Sequence, residues 1–174
     1  MTDDNPSSRL QIPAILGSPK SSILPKGTKL PKVGLKESKI KIVPDTNVYL
    51  SGIIFGGNPR KVLKLARNKI VVAYTSASIL LEVAEKLNQK FHWDEEKVGK
   101  TLKAISKITE VINPATILSV VKKDKSDNKI IECALGAQAN YIVSRDKHLL
   151  DFSEFEGIKI VTPRDFLRIV KSQS

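Results

Sequence analysis

The sequence predicts a three-layer α/β/α fold around a central parallel sheet, preceded by a disordered N-terminal tail. Three observations predict it. From residue 39 onward, short β-branched runs alternate with amphipathic helical stretches, and such alternation builds a parallel sheet with helices on both faces. The 174 residues are 41% hydrophobic, 27% charged and only 5% aromatic, which suits one domain with an aliphatic core. Residues 1–38 differ: Pro6, Pro13, Pro19, Pro25 and Pro31 recur among Gly, Ser and Lys, with neither strand nor helix periodicity. The expected boundaries are therefore a basic, Pro/Lys-rich disordered tail over 1–38 and a folded domain over 39–174.

The elements follow in order. "KIKIV" at 39–43 is a short strand. "NPRKVLKLARN" carries apolar residues at 62, 63, 65 and 66 and reads as a helix with Pro59 near its first turn. "IVVAYT" is an apolar strand. "SASILLEVAEKLNQKF" places Ile79, Leu80, Val83, Ala84 and Leu87 on one helical stripe. "DEEKVGKTLKAISKI" is a helix capped by Asp94, and "TEVIN" a short strand. "SDNKIIECALGAQA" is a helix, "NYIVS" a strand and "KHLLDF" a turn of helix. "IKIV" is a strand, and "TPRDFLRIVKS" a last helix with Thr162 as N-cap and Pro163 at its first position.

Charge and cysteine usage narrow the function. The formal net charge is +11. Eight basic residues against three acids lie within residues 1–41, a surplus of five, so six of the eleven belong to the remainder. A basic folded part with a basic arm attracts polyanions, nucleic acid first among them. Cys133 is the single cysteine, which excludes an internal disulfide framework and a Cys-rich zinc site and fits a reducing, cytoplasmic setting. No apolar run approaches the length of a membrane span, and the N-terminus has no signal-peptide core.

Carboxylates sit where a parallel sheet places its chemistry, beyond the carboxyl ends of the strands. Asp45 directly follows the first strand, Asp146 follows "YIVS", and Asp127 opens the helix leading into that strand. Glu82 falls on the border of its helix's apolar stripe, whereas Glu85, nearly opposite, faces water beside Lys86. Each acid alone also suits a cap, a turn or a solvated surface. Together they can converge at one rim, where converging carboxylates repel and some stay protonated unless a cation neutralises them. Oxygen-only ligands suit Mg²⁺ or Mn²⁺ rather than zinc.

"IVPDTNVYLSG", "SASILLEV", "DNKIIECALGAQANYIVSRDKHLL" and "IKIVTPRDFL" together resemble the PIN-domain ribonucleases, which include the VapC-like toxins of toxin–antitoxin systems. The resemblance spans about residues 40–170. It implies a PIN-like, Rossmann-like nuclease domain and a metal-dependent endoribonuclease acting on single-stranded RNA. It places the catalytic, metal-binding acids at Asp45, Glu82, Asp127 and Asp146. Thr46, Asn47 and Ser144 are the expected supporting residues, Ser144 standing where the family usually has Thr. Asp124 is a further acid nearby. A small antitoxin protein and a homodimer are the implied partners. The alternative is a catalytically inactive PIN-like module that binds RNA or protein, and a further rival is a DNA-associated regulator working through the Lys-rich tail. The long Lys/Pro-rich leader and the lysines before Asp127 are departures from compact VapC-type toxins.

Arg60, Lys61, Arg145 and Lys147 are candidate phosphate contacts, each also readable as ordinary surface charge. His92 and His148 lack zinc spacing and read as structural. Trp93 is expected to staple onto Val98 at the start of the next helix, and Cys133 to lie in the core. "GGNPRK" lacks the spacing and the Lys-Ser/Thr ending of a phosphate loop.

Overall fold

The computed structural model describes residues 38–115 and 125–173. The predicted tail and Asp124 lie outside them. Among the described residues the order is β1 Lys41–Pro44, α1 Thr46–Ile54, α2 Gly57–Arg67, β2 Val72–Ser76, α3 Ala77–Phe91, α4 Glu95–Ile108 and β3 Glu110–Ile112. Then come α5 Lys125–Gly136, β4 Tyr141–Val143, α6 Lys147–Leu150, β5 Glu154–Phe155, β6 Ile158–Val161 and α7 Pro163–Ser172.

The strands form one sheet in the order β3-β2-β1-β4-β6-β5. All neighbouring pairs are parallel except β5–β6, an antiparallel edge. Ile42 pairs with Ala73 on one side and Tyr141 on the other, and Pro44 with Val143. The direction of winding reverses between β1 and β4. That pair forms the switch point of the fold, where a crevice opens beyond the carboxyl ends of the strands.

Alternate residues of a strand point to opposite faces, and the two cores follow from that rule. Val43 and Ile142 join Ile79, Val83, Leu87, Ile130, Ile131 and Leu149 on one face. Ile42 and Val143 join Val48, Val62, Ala66, Phe166 and Val170 on the other. Helices α3 and α5 thus clad one face, and α2 and α7 the other. Burying both faces of β1 and β4 requires uninterrupted apolar sequence, which is what these strands have. Tyr141 and Phe166 meet edge to face with ring centroids 5.6 Å apart.

Sequence caps start most of the helices. Ser76 accepts from the Ile79 N–H, Asp94 from the Lys97 N–H at 2.8 Å, and Thr162 from the Asp165 N–H at 3.1 Å. Trp93 packs at the rim of the core, and the Lys97 ammonium lies 3.8 Å from its ring centroid.

Two elements had no counterpart in the sequence reading. Helix α1 is buried on most sides (Val48, Tyr49, Leu50 and Gly52), so it lacks the apolar-polar period that marks an amphipathic helix. Strand β5 is a two-residue edge, too short for a pattern. Gly52 lets α1 and α2 close on each other: a Cβ there would stand 2.8 Å from Leu63 Cδ1 and 3.1 Å from the Arg60 backbone nitrogen.

Candidate active site

Asp45 leaves β1 in an extended conformation (φ −68°, ψ 156°) and caps α1. Its N–H donates to the Val143 carbonyl of neighbouring β4 at 2.9 Å. Its carboxylate accepts the Asn47 N–H at a long 3.4 Å and the Ser144 hydroxyl at 2.8 Å. Asp45 is therefore a helix cap and a wall of the switch-point crevice at once. Thr46 follows, 1% exposed, and among the described residues its hydroxyl has no hydrogen-bond partner. The contact Asn47 makes with Asp45 runs through its backbone amide.

Ser144 is fully buried just past β4. A serine hydroxyl can donate once and accept twice. This one donates to Asp45 and accepts the Asp146 N–H at 2.9 Å, tying the ends of two adjacent strands together. Asp146, half-buried, caps α6 by accepting the His148 N–H at 2.8 Å. Its charge acts on Asp45.

Glu82 comes from α3 and is 7% exposed. The Lys86 ammonium, one helical turn on, contacts it at 2.6 Å, and Lys129 of α5 lies at 3.8 Å. Lys86 also acts on Asp45. Asp127 sits in the first turn of α5, 4% exposed. That helix packs against β1, β2, β4 and α3. Asp45, Glu82 and Asp127 are thus three buried acids, with Asp146 at the crevice edge.

Burial pushes the Asp45 carboxyl above the usual aspartate value. The Ser144 hydroxyl, the Asn47 amide and the Lys86 charge pull the other way, and Asp146 adds to the rise. Positive charge nearby is therefore favourable, and the lysines supply some of it. Among the described residues no group of three or more His, Cys, Asp or Glu stands ready-made to hold a metal ion. The donor chemistry nonetheless fits a hard divalent cation: apart from the two lysines, the polar groups are carboxylates and hydroxyls, including the Thr46 oxygen, unpartnered among the described residues. Asp45, Glu82, Asp127 and Asp146 are the side chains available to hold one.

The four candidate phosphate contacts differ in their commitments. Arg60 donates from Nε to the Gly52 carbonyl at 2.9 Å and from Nη2 to the Ile53 carbonyl at 3.2 Å, which clasps α2 to the end of α1. Lys61 and Lys147 are exposed. Arg145 is exposed and donates to Ser51 Oγ at 3.0 Å. Lys86 and Lys129 were absent from the sequence-predicted set. The i, i+4 spacing of Glu82 and Lys86 was a readable signal; the approach of Lys129 depends on how α5 docks beside α3.

The profile of the PIN domain family matches residues 41–148. This chain belongs to the PIN domain family. Uncharacterized protein MJ1680 of Methanocaldococcus jannaschii is 34% identical to it, over 76% of this chain and 93% of that protein. The PIN fold is shared with two solved structures. VapBC2 from Rickettsia felis, bound to a DNA fragment from its promoter, superposes with a TM-score of 0.52 at 15% identity, over 70% of this chain and 97% of that one. PAE2754 from Pyrobaculum aerophilum does so with a TM-score of 0.55 at 11% identity, over 79% and 94%. PIN domains are generally nucleases, and the family generally uses divalent metal ions.

Proposed function

We propose that this PIN domain is an endoribonuclease that hydrolyses phosphodiester bonds of single-stranded RNA with the help of Mg²⁺ or Mn²⁺. The observation that carries the proposal is the Asp45–Ser144–Asp146 chain at the β1/β4 switch point, whose Asp45 feels the charge of Lys86, the same ammonium that pairs with the buried acid Glu82. Asp45, Glu82, Asp127 and Asp146 would hold the ion. When bound, the ion acidifies water and offsets charge building on the phosphate. The chain's own part is geometric. Ser144 holds the Asp45 carboxylate in one orientation through Oδ2, and the Asn47 amide holds Oδ1. The capping turn of α6 positions Asp146. The basic surface gathers the polyanion around an acidic centre.

The fold of the Rickettsia felis VapBC2 complex supports an antitoxin protein as partner and a toxin role for this chain. A homodimer and a cytoplasmic location belong to the same reading. Among the described residues no helix is long and apolar enough to cross a membrane.

The occupation of Glu82 by Lys86 favours a second reading, a module that binds RNA or protein without cutting. Labelled single-stranded RNA separates the two. With Mn²⁺ the protein cuts it, and with EDTA or as Asp45→Asn it does not. Cleavage by Asp45→Asn at the wild-type rate would mean that the reaction centre lies elsewhere. No cleavage by any form, with binding kept, would favour the second reading.

A further inference from the structure

A cavity of about 450 Å³ opens between the α1–α2 connection and the ends of β4 and β6. Small-ligand sites span roughly 300–1,000 Å³, so the space suits a nucleotide unit. Its wall carries Ser51, Phe55, Arg145, Thr162 and Arg164, and among the described residues no acidic side chain lines it. Arg145 precedes Asp146 in the chain, so the cavity adjoins the proposed reaction centre. The Arg145 guanidinium is steadied by its bond to Ser51. A guanidinium has five N–H donors, so donors remain for an anion. Arg164 is exposed at the start of α7, where the helix dipole also favours negative charge. Asp165, its neighbour, is engaged by Thr162 and Arg168.

Phe55 is the second half of the observation. It is 73% exposed, the most exposed large apolar side chain among the described residues. Phe91 holds its ring edge to face, with centroids 6.2 Å apart. An exposed aromatic ring lining a cavity with two arginines matches a base next to its phosphates. A docked apolar peptide would leave both arginines without an anionic match.

We propose that this cavity is the nucleotide subsite flanking the scissile bond, with a base stacked on Phe55 and its phosphate held by Arg145 and Arg164. The proposal rests on the nuclease reading for its position, but its chemistry can be tested without cleavage. The probe is a fluorescein-labelled single-stranded hexanucleotide of 2′-O-methyluridine, titrated in EDTA against the full chain carrying Asp45→Asn and followed by anisotropy. Adding Phe55→Ala weakens binding about 5–150-fold, since base stacking contributes roughly 1–3 kcal/mol. Adding Arg164→Gln weakens it and lowers the slope of log K against log salt by about 0.7, the share of one phosphate contact on a single strand. Thermal unfolding checks that both variants remain folded. Unchanged affinity and slope in both folded variants overturn the subsite, including where the cavity instead takes a protein segment. Metal-dependent cleavage with unchanged binding removes this proposal alone. Phe55-dependent binding by a chain that never cleaves removes the nuclease reading and leaves the subsite.

Discussion

Replacing Lys86 by Met removes an ammonium from Glu82 while keeping most of the apolar stem. That ammonium sits 2.6 Å from a carboxylate whose side chain is 9% exposed. Breaking a fully buried ion pair costs about 3–5 kcal/mol, because a charge is left behind without its partner. Here Lys86 is itself 25% exposed and Lys129 stays at 3.8 Å, so the loss shrinks to roughly 1–2 kcal/mol. For a domain of this size that lowers Tm by about 3–8 °C in EDTA. The effect on metal runs the other way. With no ammonium competing for Glu82, Mn²⁺ should bind more tightly, by roughly 5–30-fold if the whole 1–2 kcal/mol transfers. Metal at a hundred times its Kd adds about 2.7 kcal/mol, so saturating Mn²⁺ should bring the variant back to the wild-type Tm or near it. Circular-dichroism melts in EDTA and across a Mn²⁺ titration, with calorimetric Kd values, measure both sides. A variant as stable as wild type in EDTA, or one that binds Mn²⁺ more weakly, would refute the role of Lys86 as the resident counter-charge.

Three further outcomes are expected. Burial raises the folded Asp45 pKa above its ordinary 3.8. Between those two values the folded chain keeps a proton the unfolded chain has shed, so its stability contribution falls as pH rises through that window. In EDTA, the Tm of Asp45→Asn should therefore gain on wild type as pH increases from 4 to neutrality, and a gap that narrows instead contradicts this. Gly52→Ala drives a methyl to 2.8 Å from Leu63 and 3.1 Å from the Arg60 backbone. Overpacking costs about 1–3 kcal/mol and the better helix propensity returns roughly 0.5–1, so urea unfolding should show a loss of about 1 kcal/mol in unfolding free energy. The Cys133 thiol is buried and pushed up to about 12, so a thiol reagent should label it only after denaturation; labelling of the native protein at the rate of a free thiol would contradict its burial.

Much of this protein was decided locally, and so was readable in its sequence. The helix starts at Ser76, Asp94 and Thr162 depend on a side chain and an amide two or three residues away. The apolar stripe of α3 depends on period, and the buried strands β1 and β4 on short unbroken apolar runs. Asp45 and Asp146 were found as acids just past strands, a position set by the parallel fold itself. Tertiary structure decided what those acids touch. Asp45 and Ser144 are 99 residues apart in sequence, and their 2.8 Å bond exists only because β1 and β4 pair. The ion pair of Lys129 with Glu82 depends on α5 docking beside α3, and the Phe55–Arg145–Arg164 cavity on three separate segments ending together. Periodicity and capping are short-range effects carried by neighbouring residues. Electrostatic partnership in a crevice acts through space, and chain order does not encode the distances that set it.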